Sequence, residues 1–159
     1  MIDNILFDLD GTLTDPKEGI TKSVAYALRA FGIIVENTDT LCAFIGPPLH
    51  ESFIKFYNFD EESAKKAVSA YREYFATRGI YENVIYKGVP EMLASLRKRG
   101  KTIILATSKP AVFAKEILRH FGIINEFSFI SGSELDGKRT KKGEVIRYAL
   151  EQRNITDLS

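Results

Sequence analysis

Two carboxylates near the start of the chain have the type and spacing to do chemistry. Asp8 and Asp10 end the apolar run that begins at Ile5, and Gly11 follows at once. Side chains of an extended segment alternate, so both carboxylates should leave on the same side. Like charges this close repel, and the usual remedies are a shared proton, hydrogen-bonding neighbours or a bound cation. The pair therefore indicates a metal site and a reaction.

Hydroxyl and ammonium groups follow two later segments. Thr107 and Ser108 end the apolar segment that begins at Thr102, and Lys141 and Lys142 precede a predicted helix. The carboxyl ends of neighbouring parallel strands would open on the same crevice as the acidic pair. An oxygen nucleophile, a proton donor, a hydroxyl and a cation are what phosphoryl transfer needs. The set points to that reaction, although Thr107 and Ser108 could instead cap a helix, and the choice between the two lysines stays open.

Strands and helices alternate in the parts of the chain that carry these groups. Short apolar runs at 5–9, 102–107 and 127–131 are typical of strands buried on both faces. Helical signals follow at 90–100, 109–121 and 142–153. The alternation predicts parallel strands joined by right-handed crossovers, hence an α/β, doubly wound parallel-sheet (Rossmann-like) core.

The stretch 16–82 predicts helices only. We therefore expect a core formed by residues 1–15 and 83–159, with an inserted all-helical cap of residues 16–82 above the strand ends. Within the cap, Gly46, Pro47 and Pro48 break a short helical turn. A closing cap must exclude water and present specificity contacts, so we expect this loop to face the substrate; a simple helix break is the alternative.

Composition favours a small-molecule partner. The chain has 159 residues, of which 45% are hydrophobic, enough for one packed domain with a modest insertion. The 22 basic and 21 acidic residues leave no global basic field for nucleic acid or an anionic membrane. The N-terminal residues lack a signal-peptide pattern, no apolar run has membrane length, and Cys42 is the lone cysteine. These features predict a cytoplasmic protein, and we expect either a monomer or a homodimer, between which the sequence does not decide.

The motifs resemble those of a known superfamily. Ile5-Leu-Phe-Asp-Leu-Asp-Gly-Thr-Leu13 is similar to the first motif of the haloacid dehalogenase-like (HAD) hydrolases. Ile103-Ile-Leu-Ala-Thr-Ser-Lys-Pro110 resembles the second motif, and Lys141-Lys142 before Gly143-Glu144 resembles the third. The helical block between the first two motifs resembles the C1-type cap of the phosphoglycolate phosphatase-like branch, which includes members described as nucleotidases.

This resemblance implies a Mg²⁺-dependent phosphatase that hydrolyses a small phosphorylated metabolite, either phosphoglycolate or a nucleoside monophosphate. It makes Asp8 the nucleophile, which forms an aspartyl-phosphate, and Asp10 the general acid and base. It places Mg²⁺ on the Asp8 carboxylate and the backbone carbonyl of Asp10. The phosphate-binding residues that it implies are Gly11, Thr12, Thr107, Ser108 and Lys142, with Lys141 as the alternative lysine.

The fourth motif of the superfamily, a Gly-Asp pair with a further Asp, is not found before Ser159. Asp157 lacks the apolar run and the glycine that mark this motif, so it is not assigned as a metal ligand. We expect the C-terminal part of the core to be missing and the first strand to have an unpaired apolar edge. For these 159 residues alone, the expectation is weak Mg²⁺ binding and impaired hydrolysis.

Three other functions remain open. A phosphomutase of the β-phosphoglucomutase type would use the same aspartyl-phosphate but return the phosphate to a sugar. A receiver-like module also combines an aspartate, a hydroxyl and a lysine, but its acceptor aspartate should follow a later strand. A noncatalytic phosphate-binding fragment is the third alternative.

Overall fold

The computed structural model describes residues 3–156, so Asp157 lies outside the described part of the chain. Contacts divide the chain into two compact units. The first unit combines Met1–Asp15 with Ile85–Ser159, and the second is Pro16–Val84.

The first unit contains a parallel sheet whose described strands are β1 (Asn4–Phe7), β4 (Thr102–Pro110) and β5 (Phe129–Ser133). The spatial order is β1–β4–β5, and both pairings are parallel. The central strand is the most apolar, and Ile103, Ile104 and Leu105 are fully buried. The prediction of an α/β fold with a parallel sheet is confirmed.

The described part of the first unit also contains three helices, and each turns a small apolar face inward. They are α4 (Val89–Lys98), α5 (Ala111–His120) and α6 (Lys142–Gln152). A short 3₁₀ turn, Ile124–Glu126, precedes β5. Helix α5 buries Ala114, Ile117 and Leu118 at helical spacing, and α6 buries Val145 and Ala149 four residues apart.

The junction between β4 and α5 differs from the prediction. The helix was predicted from 109, but β4 continues to Pro110 and α5 begins at Ala111. Proline disfavours the helical conformation of the residue before it, which keeps Lys109 extended. No side chain caps α5. The capping interpretation of Thr107 and Ser108 is therefore wrong, and both residues lie within β4.

The second unit contains three helices and two irregular turns, with the following bounds. The helices are α1 (Lys17–Arg29), α2 (Leu49–Tyr57) and α3 (Glu61–Tyr74); a 3₁₀ helix spans Thr38–Phe44 and a π-helical turn spans Phe75–Gly79. Asp60 caps α3 by accepting a hydrogen bond from the Ser63 N–H at 2.7 Å. Gly19 of α1 lies so close to the π-helical turn that a Cβ there would be 1.9 Å from the Gly79 oxygen.

Two-residue strands β2 (Thr14–Asp15) and β3 (Val84–Ile85) form a second small sheet, which sequence reasoning missed.

Among residues 3–156, none of the helices combines the length and the apolar character that a membrane crossing requires.

Candidate active site

The acidic pair lies where β1 runs into a tight turn. Leu9 is fully buried between Asp8 and Asp10, which keep part of their surface exposed, as alternation predicts. The Leu9 carbonyl accepts the amides of the next turn, and the Gly11 N–H donates to the Thr14 oxygen at 2.8 Å. Gly11 has φ +77°, a conformation that favours glycine. The turn therefore fixes the backbone that presents both carboxylates.

Asp8 is held by a backbone amide and by a lysine from a distant element. Its Oδ1 accepts a hydrogen bond from the Leu9 N–H at 2.8 Å, and its Oδ2 lies 2.5 Å from the Lys142 Nζ. The same ammonium donates to the Ala106 carbonyl oxygen at 2.9 Å. Lys142 thus joins the start of α6 to the residue that follows β1 and to the middle of β4.

The neighbouring Lys141 is arranged differently. Its side chain is exposed, and its backbone N–H donates to the Glu144 Oε2 at 3.3 Å at the start of α6. Of the two lysines left open by the sequence, Lys142 is the one that contacts Asp8.

Asp10 is paired with a lysine that sequence reasoning missed. The Lys109 Nζ lies 3.0 Å from the Asp10 Oδ2, and the two side chains are only 6% and 11% exposed. The other oxygen, Oδ1, is buried and has no hydrogen-bond partner within residues 3–156. A signal for Lys109 was available, because in an extended strand it shares a side with Thr107; the predicted helix start concealed it.

Thr107 and Ser108 lie beside this pair in β4. Thr107 is 2% exposed, and its Oγ1 accepts a hydrogen bond from the Lys109 N–H at 3.2 Å. The hydroxyl proton of Thr107 is therefore left to donate. The Ser108 carbonyl accepts a hydrogen bond from the Ser133 Oγ of β5 at 2.8 Å.

A glycine of β5 allows the backbone of this segment to lie close. A Cβ on Gly132 would be 2.7 Å from the Lys109 carbonyl oxygen and 2.7 Å from the Ala111 nitrogen. A side chain at Gly132 would displace the segment that carries Thr107 and Lys109. The end of β4 is thus fixed by its packing against β5.

Five further predicted residues have no described contact with either side chain of the acidic pair. The Gly11 and Thr12 amides donate within the turn, so a phosphate contact of these residues stays a prediction. Gly46, Pro47 and Pro48 lie in the second unit, directly before α2. The approach of that loop to a substrate also stays a prediction.

Lysine side chains already compensate the negative charges of both carboxylates. Each carboxylate has its own ammonium group, so their mutual repulsion is already offset within the protein. A cation is therefore not required to hold Asp8 and Asp10 together.

The donors present nevertheless fit Mg²⁺. Asp8 and Asp10 offer hard oxygen ligands, and Mg²⁺ in such sites takes one or two carboxylates while keeping waters and substrate phosphate oxygens. No cluster of three acidic, histidine or cysteine side chains exists within residues 3–156, so a closed all-protein metal cage is not formed there. The donor set suits a cation that shares its coordination with a substrate.

Known proteins are similar to this chain in sequence and in fold. The family model for haloacid dehalogenase-like hydrolases matches residues 5–158. A 5'-nucleotidase from Pseudomonas aeruginosa is 54% identical over 152 residues, which cover 96% of this chain and 69% of that protein. Tyrosine-protein kinase PtkA from Mycobacterium tuberculosis is 41% identical over 93% of this chain, which spans only 50% of that kinase.

A solved structure of a similar protein has the same fold. The crystal structure of a predicted phosphatase from Clostridium acetobutylicum superposes with a TM-score of 0.95 at 52% identity, covering 98% of this chain and 72% of that one.

Proposed function

This chain belongs to the haloacid dehalogenase-like hydrolase family, and we propose that it hydrolyses a small phosphate monoester through an aspartyl-phosphate intermediate. The observation that carries the proposal is the Asp8 carboxylate paired with Lys142 at the carboxyl ends of two parallel strands. A carboxylate can act as the nucleophile, and the ammonium group can offset the charge that it meets on a phosphate.

In the first step, an Asp8 oxygen bonds to phosphorus while the bond from phosphorus to the leaving oxygen breaks. Asp10 gives its proton to that leaving oxygen. In the second step, Asp10 takes a proton from a water whose oxygen bonds to phosphorus, and the bond between phosphorus and Asp8 breaks. Phosphate is released, and both aspartates return to their starting states.

The neighbouring groups support these steps. Lys142 is proposed to offset the charge on Asp8 and on the transferred phosphoryl group, while the Thr107 hydroxyl donates to a phosphoryl oxygen. Mg²⁺ would be held by the Asp8 carboxylate and the Asp10 backbone carbonyl, and when bound it supplies positive charge to the phosphoryl oxygens.

The proposed partner is a small phosphorylated metabolite. The name of the 54% identical relative supports a nucleoside 5'-monophosphate as the first substrate to test. Phosphoglycolate, which the cap resemblance implies, is the second. A phosphomutase would instead produce an isomeric sugar phosphate with little free phosphate, so product analysis separates the two reactions.

The test is a metabolite panel with and without Mg²⁺, assayed with the full-length protein. Asp8→Asn should reduce phosphate release to background, because the amide is a far weaker nucleophile. Asp3→Asn is the matched control, since the Asp3 side chain is 70% exposed and pairs with Lys101 rather than with a lysine of the site, so this variant should keep full turnover.

Two results would overturn the proposal. Full turnover of Asp8→Asn would show that Asp8 is not the nucleophile. Transfer of labelled phosphate from ATP to a tyrosine peptide, without monoester hydrolysis, would replace the hydrolase by a kinase.

A further inference from the structure

We infer that Lys109 is a positioning residue for Asp10: it anchors the Oδ2 of the general acid and leaves Oδ1 as the oxygen that transfers the proton. This inference rests on the proposed function, because it assigns atoms within the same proposed reaction.

The first support is the burial of the pair. Lys109 and Asp10 are 6% and 11% exposed, and their charged atoms are 3.0 Å apart. By contrast, the Lys22–Glu18 pair of the second unit is 41% and 63% exposed. Water screens an exposed pair, whereas removing one partner of a buried pair leaves an uncompensated charge. The Lys109 ammonium therefore restrains the Asp10 carboxylate much more strongly than a surface lysine would.

The second support is the different state of the two Asp10 oxygens. Oδ2 is paired with Lys109, whereas Oδ1 is buried and has no partner in the described part of the chain. A buried oxygen without a donor costs free energy, which a proton or a donor from a bound molecule would recover. A proton on Oδ1 would be donated to the leaving oxygen of an ester, and the attacking water would donate to Oδ1 once that proton has left. The asymmetry thus assigns anchoring to Oδ2 and proton transfer to Oδ1.

The third support is the fixed backbone of Lys109. Lys109 lies within β4 directly before Pro110, which disfavours a helical conformation at Lys109, in the segment where the register with β5 shifts. Its N–H donates to the Thr107 Oγ1, and its carbonyl lies against Gly132 of β5. A side chain that starts from a fixed strand can hold its partner accurately, as a reacting group requires.

The test compares substrates whose leaving groups need different amounts of help from an acid. The leaving group of 4-nitrophenyl phosphate departs without protonation, whereas that of phenyl phosphate is a much stronger base. The quantity compared is kcat/KM, because it reports only steps up to release of the leaving group. In the full-length protein, Lys109→Met should lower kcat/KM by about 100-fold on phenyl phosphate and by less than about 5-fold on 4-nitrophenyl phosphate.

A double-mutant cycle shows whether Lys109 acts through Asp10. Asp10→Asn should show the same dependence on the leaving group, and adding Lys109→Met to it should cause no further loss. Lys115→Met is the control, since this lysine is exposed on α5 and its loss should leave both substrates unaffected. Circular dichroism checks folding, and Lys109→Gln carries the same test if the methionine variant does not fold.

The outcomes separate this inference from the proposed function. Equal losses on both substrates, no loss on either, or additive losses in the double variant would each overturn the positioning role. The function itself is tested by Asp8→Asn, which should abolish turnover of both substrates whatever Lys109 does. Turnover that does not depend on Asp8 would overturn both statements.

Discussion

Replacing Lys142 by methionine should separate catalysis from stability at this site. The Lys142 Nζ lies 2.5 Å from the Asp8 Oδ2, but the two side chains are 40% and 37% exposed. An ion pair that water reaches this well is worth at most about 1 kcal/mol to folding. Lys142→Met should therefore lower the free energy of unfolding by no more than about 1 kcal/mol, measured by urea denaturation.

The expected effect on turnover is much larger. In the proposed reaction the ammonium offsets charge on Asp8 and on the transferred phosphoryl group, and removing one such group typically costs about 10²–10³ in kcat, or about 3–4 kcal/mol. Steady-state phosphate release from a nucleoside 5'-monophosphate at saturating Mg²⁺ measures this loss. The loss of transition-state stabilisation should thus be about three times the loss of unfolding free energy, or more.

Lys141 provides the matched control for this experiment. Its side chain is exposed, and its contact with Glu144 uses the backbone N–H, which methionine retains. Lys141→Met should change kcat by no more than about twofold, as for an ordinary surface substitution. Equal losses for the two variants, or a large loss in Lys141→Met alone, would refute the assignment of Lys142.

Two further predictions concern the second unit. Gly19→Ala should lower the free energy of unfolding by at least about 1–3 kcal/mol, because the new Cβ would lie 1.9 Å from the Gly79 oxygen. The control is Gly143→Ala on α6, where a Cβ would meet open space and should not destabilise the protein. Urea denaturation midpoints compare the two variants, and equal shifts would contradict the packing argument. The Ser63 N–H lowers the pKa of Asp60, so this cap stabilises the fold above the unfolded-state pKa and loses its effect as pH falls through the folded one. Asp60→Asn keeps an acceptor without a charge, so wild type should lose stability relative to this variant on acidification, and a constant difference would contradict the cap's titration.

Features of the fold that follow from the local pattern of apolar and polar residues could be predicted from the sequence. Alternation predicted that Leu9 differs from its two acidic neighbours, and Leu9 is fully buried whereas Asp8 and Asp10 are partly exposed. Apolar runs separated by helical signals predicted the parallel sheet, but not that β4 lies between its neighbours and is the most deeply buried strand. These features follow from side-chain periodicity, which tertiary contacts reinforce here rather than override.

Features that depend on distant segments were not predictable in the same way. Whether Lys141 or Lys142 reaches Asp8 depends on the direction in which α6 leaves its loop, and neighbouring lysines look alike in sequence. Lys109 was missed for a local reason, since Pro110 was read as part of a helix rather than as its boundary. The close approach of Gly132 to β4 is likewise visible only when both strands are in place.

The pairing of Asp8 with Lys142 and of Asp10 with Lys109 has a consequence for how a ligand is captured. With both aspartates ionised, before Asp10 takes up the proton that it donates in the first step, two carboxylates and two ammonium groups give the centre a formal charge of zero. A magnesium ion together with a dianionic phosphate ester also sums to zero, so loading the centre would leave its formal charge unchanged. Attraction would then come from the short-range arrangement of the groups rather than from a surplus of positive charge, and added salt should have little influence on how fast substrate arrives.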